Sequence, residues 1–339
     1  MINQELLRVL LNKKGQANKN IDLSYQVEKM GFEPTTSWLP AKRSSQVSYI
    51  PKACGKLREL IFKKQIPSDE FIFQKRNFTC KYFFMTTQRL NGSLYTVIEN
   101  KIATVEFGHP ASNSFPSELL QRLTDELNNL SSNPDVNLII LKSEGDGAFC
   151  AGASFDELLA VSNLMEGTSF FSGFANVINA MRKCSKLIVG RIHGKAVGGG
   201  VGLAAACDYA FATVDSAIKL SELAIGIGPF VIEPAVSRKI GKGALGEMTL
   251  AAHEWKNAYW AQEKGLYAKV FETKEDLDKE LEIFTSKLAS YNPEALSEMK
   301  KVLWEGTENW DTLLYERASI SGKLVLSDFS RNALNQFKK

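Results

Sequence analysis

Gly198-Gly199-Gly200-Val201-Gly202-Leu203 is the stretch on which the reading of this chain turns. It lies inside Arg191-Ile-His-Gly-Lys-Ala-Val-Gly-Gly-Gly-Val-Gly-Leu-Ala-Ala-Ala-Cys-Asp208. An apolar, strand-like approach (Leu187, Ile188, Val189) leads into the glycines, and a run of small residues leaves them as a buried helix. Glycine lets a backbone come close to a ligand, because no Cβ stands in the way. The first N–H groups of a helix have no partner within it, and the helix dipole favours negative charge there. Such a turn suits a developing oxyanion. It equally suits a tight strand-to-helix turn packed on a neighbour, and alone the stretch is read as that.

Working outward toward the N-terminus, the flanking pattern is regular. Leu94-Tyr-Thr-Val-Ile98 and Ile102-Ala-Thr-Val-Glu-Phe107 alternate as two strands, with Glu99-Asn100-Lys101 between them as a turn. Ser117 is placed to cap a helix whose Leu120, Leu123, Leu127 and Leu130 share one face, closed by Asn133-Pro134-Asp135. Leu138-Ile-Ile-Leu141 is continuously apolar, the pattern of a strand buried on both faces. Strand, helix, strand at this spacing opens an α/β fold. The buried strand then runs into Gly145-Asp-Gly-Ala-Phe-Cys-Ala-Gly-Ala-Ser-Phe-Asp156, a second small-residue loop that leads to an apolar helix at Leu158 and Leu159. Two such loops at strand ends can aim two backbone N–H groups at one oxygen. The pair is far more informative than either loop alone.

Composition narrows the classes. A chain of 339 residues with 44% hydrophobic and 23% charged residues is an ordinary globular composition with room for a large core. No run approaches the roughly 18 apolar residues of a membrane span, and the N-terminus lacks the order of a secretory signal. Cys54, Cys80, Cys150, Cys184 and Cys207 are scattered without a C-x-x-C pair, which points to reduced thiols in a cytoplasmic compartment and to no structural zinc site. His109, His193 and His253 are too far apart for a metal-ligand motif. No metal is expected. The formal charge of +3 conceals two compositions. Residues 1–84 hold 15 of the 41 basic and 7 of the 38 acidic residues, leaving 26 basic and 31 acidic in the remainder. The basic balance of the whole is therefore no sign of nucleic-acid binding by the folded part.

Residues 1–84 do not read like the rest. They mix a solvated polar run (Lys13 to Asn20), a proline-bearing segment without period (Gly31 to Pro40) and basic, aromatic stretches near Ile61 and Phe71. A targeting presequence and a basic arm for nucleic acid are two readings. The favoured third rests on likeness: the residues from Gly31 to Pro51 look like the peptide obtained when a transfer RNA gene is translated by mistake, and Met85 looks like a natural initiator. Residues 1–84 are thus expected to be a non-homologous, poorly packed extension, residues 85–274 a core, and residues 275–339 a C-terminal helical region.

Ala148-Phe-Cys-Ala-Gly-Ala153, Gly194-Lys-Ala-Val-Gly-Gly-Gly200, Cys207-Asp208, and Leu220-Ser-Glu222 with Gly226 and Pro229 together resemble the crotonase (enoyl-CoA hydratase/isomerase) superfamily. The resemblance runs from about Leu94 to the C-terminus. It implies an α/β crotonase-like fold of repeated β-β-α units, C-terminal helices that support a homotrimer or a dimer of trimers, and an acyl-CoA thioester as substrate with no further cofactor. It places the thioester oxygen between the N–H groups of Ala153 and Gly199, lays Ala151, Ser154, Phe155 and Gly198 along the bound acyl-CoA, and makes Glu222 the acid–base residue. It implies no membrane or nucleic-acid partner. Two positions depart from the family pattern: Gly202 stands where hydratases commonly carry a second Glu, and Ser154 where an Asp is usual.

One carboxylate can still add water if addition is syn, taking the water proton and returning it to C2. It can also shuttle a proton between C2 and C4. Both roles need a Glu with its pKa raised toward neutrality by an apolar pocket, which Leu223, Ala224, Ile225 and Phe230 are placed to supply. The expected activity is a hydratase-type lyase. Alternatives are a double-bond isomerase and a catalytically weak acyl-CoA-binding protein. The glycines, Leu220–Glu222 and Pro229-Phe-Val-Ile-Glu-Pro234 also resemble methylglutaconyl-type hydratases, whose substrates carry a distal carboxylate. Arg182, Lys186, Arg191, Lys195 and Arg238 are candidates to pair with it, and Phe155, Leu158, Met165 and Phe170 for the acyl pocket.

Farther on, Tyr209–Ala212 and Ile218–Leu220 read as strands and Pro234–Ile240 as a helix ended by Gly241. Asn257–Lys264 reads as another helix. Glu275–Leu288 is amphipathic, with Leu277, Leu281, Phe284 and Leu288 on one face and Thr273 and Asp276 as a capping pair. Pro293 opens the next helix and Thr307 the last, with Trp304, Trp310 and the Phe329–Phe337 end as large apolar surfaces for the core or a subunit contact. His253 reads as structural.

Overall fold

In the computed structural model the described residues are 71–75 and 78–82, by their backbone, and 91–336. The chain divides into two units, Met1–Gln88 and Arg89–Lys339. In the first, strands β1 (Phe71–Lys75) and β2 (Phe78–Tyr82) pair antiparallel. The reading of residues 1–84 as an extension otherwise falls outside the described residues.

The second unit is built on a six-stranded sheet. Its strands are β3 (Ser93–Glu99), β4 (Ile102–Gly108), β5 (Leu138–Ser143), β6 (Leu187–Ile192), β8 (Tyr209–Thr213) and β10 (Lys269–Phe271). The spatial order is β10-β8-β6-β5-β4-β3, with only the β3–β4 pair antiparallel. The β3–β4 hairpin turns through Asn100 and Lys101, both at positive φ (53° and 64°), the mirror-image turn whose twist matches the strands it joins. A second, two-stranded parallel sheet pairs β7 (Ala196–Val197) with β9 (Ile218–Lys219).

Alternation along each strand divides the apolar residues between two cores. Ile139 and Leu141 face the larger one, with Ala103, Val105 and Phe107 of β4, under helices α1 (Ser117–Ser132) and α3 (Leu164–Lys183). Leu138 and Ile140 face the other, with Leu187, Val189 and Phe211, against Leu277, Leu281 and Ala289 of α7 (Lys274–Ala289) and Leu296 of α8 (Pro293–Leu303). The continuous apolar run of β5 is thus buried on both sides, as its pattern implies. The remaining helices are α2 (Phe155–Ala160), α4 (Gly199–Ala206), α5 (Glu233–Leu250), α6 (Ala258–Glu263), α9 (Trp310–Leu324) and α10 (Asp328–Gln336).

Helix α8 is fixed to the sheet by a buried carboxylate. Asp208 accepts from the Ile188 N–H at 2.7 Å, the Lys300 ammonium at 2.6 Å and the Trp304 indole N–H at 2.7 Å. Lys300 is only 2% exposed, a lysine that stays inside because it is paired. Trp304 and Trp310 meet edge to face in the larger core, their ring centroids 5.7 Å apart.

Three local expectations are revised. Ser117 is the first helical residue, not the cap: its N–H and hydroxyl both donate to Glu157 of α2, which supplies the missing acceptor from 40 residues away. The helix from Pro234 does end at Gly241 (φ 76°, ψ 162°), as expected, and a second helical stretch follows it to Leu250 within α5. Helix α9 starts after Asn309, while the Thr307 hydroxyl donates to the Trp304 carbonyl. A further helix, α10, follows it. Thr273 does cap α7, accepting from the Asp276 N–H at 3.1 Å and donating to the Asp276 carboxylate at 2.7 Å.

Candidate active site

Strand β5 delivers the loop 144–154 and β6 delivers the turn 193–198, and hydrogen bonds tie the two together. The Cys150 N–H donates to the Lys195 carbonyl at 3.3 Å, and the Val197 N–H to the Cys150 carbonyl at 2.9 Å. Gly152 (φ 91°) presses on the second loop: a Cβ there would lie 3.0 Å from the Val197 carbonyl and 3.5 Å from the Gly199 nitrogen. Side chains are excluded at this crossing by geometry, so glycine is required.

Ala153 forms a parallel bridge with Phe115. The Phe115 N–H donates to the Gly152 carbonyl and the Ser154 N–H to the Phe115 carbonyl, both at 2.8 Å. In a parallel bridge of this kind the central residue's own N–H points to the other side. Gly199 opens α4, so its N–H has no acceptor inside the helix. The preceding Gly198 is at φ 51°, ψ −117°, and its N–H donates to the Lys219 carbonyl at 2.9 Å. Ala153 and Gly199 therefore each bring to one junction a backbone donor that, among the described residues, is not spent on a backbone carbonyl.

The third component comes from the turn after β9. Glu222 opens a 3-10 turn, Glu222–Ile225, ended by Gly226 at φ 78°. Its Oε1 lies against Gly198, where a Cβ would be 2.7 Å away. Its Oε2 is sealed from solvent and has no hydrogen-bond partner among the described residues. Burial pushes its pKa up from 4.5 to about 7, although the N–H groups of Glu222 and Ser221 work in the opposite direction. A carboxylate poised near neutrality against Gly198, one residue from the Gly199 N–H, can exchange a proton with a carbon whose negative charge is spread onto a neighbouring oxygen.

The other expected residues are placed as follows. Ser154 is buried and its hydroxyl caps α2, accepting from the Glu157 N–H at 3.4 Å. Phe155 packs with Leu158 and Phe170 in a small apolar cluster that also holds Ile225 and Ile227 after Glu222 and Leu334 of α10. Met165 is 79% exposed and takes no part in it. Ala151 is half-buried, its N–H donating to the Ser112 carbonyl at 3.1 Å. Three of the candidate cations are engaged elsewhere: Arg182 pairs with Asp311, Arg191 with Asp278, and Arg238 lies 3.8 Å over the Trp304 ring. Lys195 sits over Trp255, and Lys186 is half-buried. His253 is exposed. Buried His193 has no partner for either ring nitrogen among the described residues, and burial lowers its pKa to about 4.

Two contacts had no signal in the pattern. Phe174 of α3 fills the space where a Cβ on Gly199 would go. Ile232, just before α5, does the same at Gly202, with its Cγ2 at 2.5 Å and its Cβ at 2.8 Å. Both lie about 25–30 residues from the glycines, and no local period links them.

The family model for enoyl-CoA hydratase/isomerase matches residues 97–336. The chain belongs to this family. A short-chain-enoyl-CoA hydratase of Clostridium acetobutylicum is 27% identical over 242 residues, spanning 70% of this chain and 92% of that protein. A peroxisomal Delta(3,5)-Delta(2,4)-dienoyl-CoA isomerase of Arabidopsis thaliana is 28% identical over 54% of this chain and 69% of its own length. The human mitochondrial methylglutaconyl-CoA hydratase is 35% identical, but over 34% of each chain. Among solved structures, a putative enoyl-CoA hydratase from Mycobacterium avium paratuberculosis superposes with a TM-score of 0.64 at 25% identity, covering 70% of this chain and 91% of that one. An enoyl-CoA hydratase from Bacillus halodurans superposes with a TM-score of 0.68 at 20% identity, covering 72% and 99%, a likeness of fold. The expected α/β crotonase-like fold and enzyme family are thus the ones found. Among the described residues no helix is long and apolar enough to cross a membrane.

Proposed function

We infer that this family member catalyses the reversible syn addition of water to an α,β-unsaturated acyl-CoA, with Glu222 as the single acid–base residue. The observation that carries the reading is the Glu222 carboxylate beside Gly198, one residue from the Gly199 N–H, with its Oε2 sealed from solvent and without a hydrogen-bond partner among the described residues. The Glu222 carboxylate removes a proton from water as the water oxygen bonds to C3. The C2–C3 π electrons move onto the thioester oxygen, which the Ala153 and Gly199 N–H groups stabilise. Glu222 then returns the proton to C2 and the thioester carbonyl re-forms. Donors held in place in advance need no reorganisation, and loss of one typically costs about 3–4 kcal/mol of barrier. Ala151, Ser154, Phe155 and Gly198 flank the acyl-CoA, with Ser154 acting through the cap of α2. A homotrimeric, cytoplasmic enzyme is part of the same reading.

A second reading is favoured by one contact. With Ile232 packed on Gly202, no second carboxylate arises from α4. A proton shuttle from C4 to C2 needs one base and no water, so the same Glu222 suits a double-bond isomerase. The engagement of Arg182, Arg191 and Arg238 elsewhere weighs against a dicarboxylic acyl group such as methylglutaconyl held by those residues.

Hydration of crotonyl-CoA and 3-methylglutaconyl-CoA, with isomerisation of a Δ3-enoyl-CoA, measured for wild type and Glu222→Gln, tests the function. The expected result is faster crotonyl-CoA hydration than isomerisation, lost by about 10²–10⁴-fold in Glu222→Gln with acyl-CoA binding retained. Dominant isomerisation selects the second reading. Binding without turnover by wild type selects an acyl-CoA-binding protein. Hydration unchanged in Glu222→Gln contradicts the role given to that residue.

A further inference from the structure

Gly202 lies on the first turn of α4, its N–H donating to the Gly198 carbonyl at 3.2 Å. It is therefore one turn from the glycines that meet Glu222 and carry the free Gly199 donor. The position is not open. A Cβ added at Gly202 would stand 2.5 Å from the Cγ2 and 2.8 Å from the Cβ of Ile232, closer than side-chain carbons pack. Ile232 is 4% exposed and has little room to withdraw.

Its backbone is held as well. The Glu233 N–H donates to the Pro229 carbonyl at 2.8 Å and the Val236 N–H to the Ile232 carbonyl at 3.0 Å, so the Pro229–Pro234 segment winds directly into α5. Pro234 sits in the first turn of that helix, where its lack of an N–H is harmless. The β-branched Ile232 side chain has few rotamers to choose from. The missing side chain at 202 and the large side chain at 232 are thus complementary: one occupies the volume that the other leaves.

We propose that Ile232 is a specificity-determining residue: by filling the space beside Gly202 it closes the site to a second acidic side chain and leaves Glu222 to carry the acid–base chemistry alone. The inference rests on the function proposed above, and it adds that the single-carboxylate character is built into two positions. Changing Gly202 alone does not install a second carboxylate. Changing both does.

A cycle of Gly202→Ala, Ile232→Ala and the double variant, followed by thermal melting, reads the packing without reference to the reaction. Gly202→Ala lowers the melting temperature by several degrees in the wild-type background, and most of that loss disappears when Ile232 is Ala. The second arm compares Gly202→Glu with Gly202→Glu/Ile232→Ala. The single variant folds poorly or melts early. The double variant is recovered as a folded protein, raises the ratio of crotonyl-CoA hydration to Δ3-enoyl-CoA isomerisation by about tenfold, and adds a second ionisation to the pH profile. Equal losses for Gly202→Ala in both backgrounds overturn the proposal, as does a Gly202→Glu enzyme that melts like wild type and shows the second ionisation. Coupling in the melts with full turnover in Glu222→Gln overturns the proposed function instead.

Discussion

A carboxylate with one oxygen sealed and unpartnered holds its proton more tightly than one in water, and Glu222 is in that position. Its folded pKa of about 7 lies above its ordinary value of 4.5, so between those two values the native state binds the extra proton. Stability contributed by that proton is present at low pH and declines as pH rises from about 4.5 to 7. Glu222→Gln, neutral at every pH, is therefore expected to melt higher than wild type at pH 8 and to show a smaller difference at pH 5. Melting curves at the two pH values check this, and equal shifts would speak against a raised pKa. Ser154 is a contrasting residue. Its hydroxyl serves the first turn of α2, so Ser154→Ala is expected to cost about 1 kcal/mol of stability and to change kcat/KM for the acyl-CoA little. A large rise in KM with unchanged melting would return Ser154 to direct substrate contact.

At the scale of elements, the site depends on three loops whose anchors lie elsewhere. The α8 anchor is the clearest case, because Asp208, two residues beyond α4, collects donors from β6 and from α8 and its C-cap at once. Asp208→Ala leaves the Lys300 ammonium buried without its carboxylate, an arrangement that typically costs about 3–5 kcal/mol. Chemical denaturation of the variant reads that loss directly. Loss below about 1 kcal/mol would mean that Lys300 escapes to water. Helix α10 bears on the catalytic turn more closely. A Cβ at Gly226, which ends the 3-10 turn at φ 78°, would meet Phe329 Cδ1 and Ser330 Oγ, each at 2.5 Å. Gly226→Ala strains the backbone and displaces α10 together. It is expected to lower kcat on the preferred enoyl-CoA more than tenfold while acyl-CoA binding, read by titration, changes less.

Across the whole molecule, what the sequence made legible is what has a local cause. The β3–β4 hairpin, the two-sided burial of β5, the leucine face of α1 and the two glycine-bearing loops each follow from spacing within about a dozen residues. Contacts between distant segments left no such trace. Glu157 accepting from Ser117, Ile232 on Gly202 and Phe174 on Gly199 are set by how the loops pack once the sheet is formed. Helix α10 has no local signal because Asp328–Gln336 is short and polar, and its few apolar residues are explained only by the turn it covers. The family could be named from the loops, yet the number of carboxylates at work depends on one of these distant contacts.

That number is the central claim, and the pH dependence of kcat/KM for crotonyl-CoA hydration tests it most directly, since the profile reports the ionisations of the free enzyme. With Glu222 as the only acid–base group and its carboxylate form taking the water proton, the rate is expected to fall tenfold per pH unit below a single midpoint near 7 and to level off above it. A profile with two ionisations on the acid side, or one that stays flat from pH 5 to 8, would contradict it.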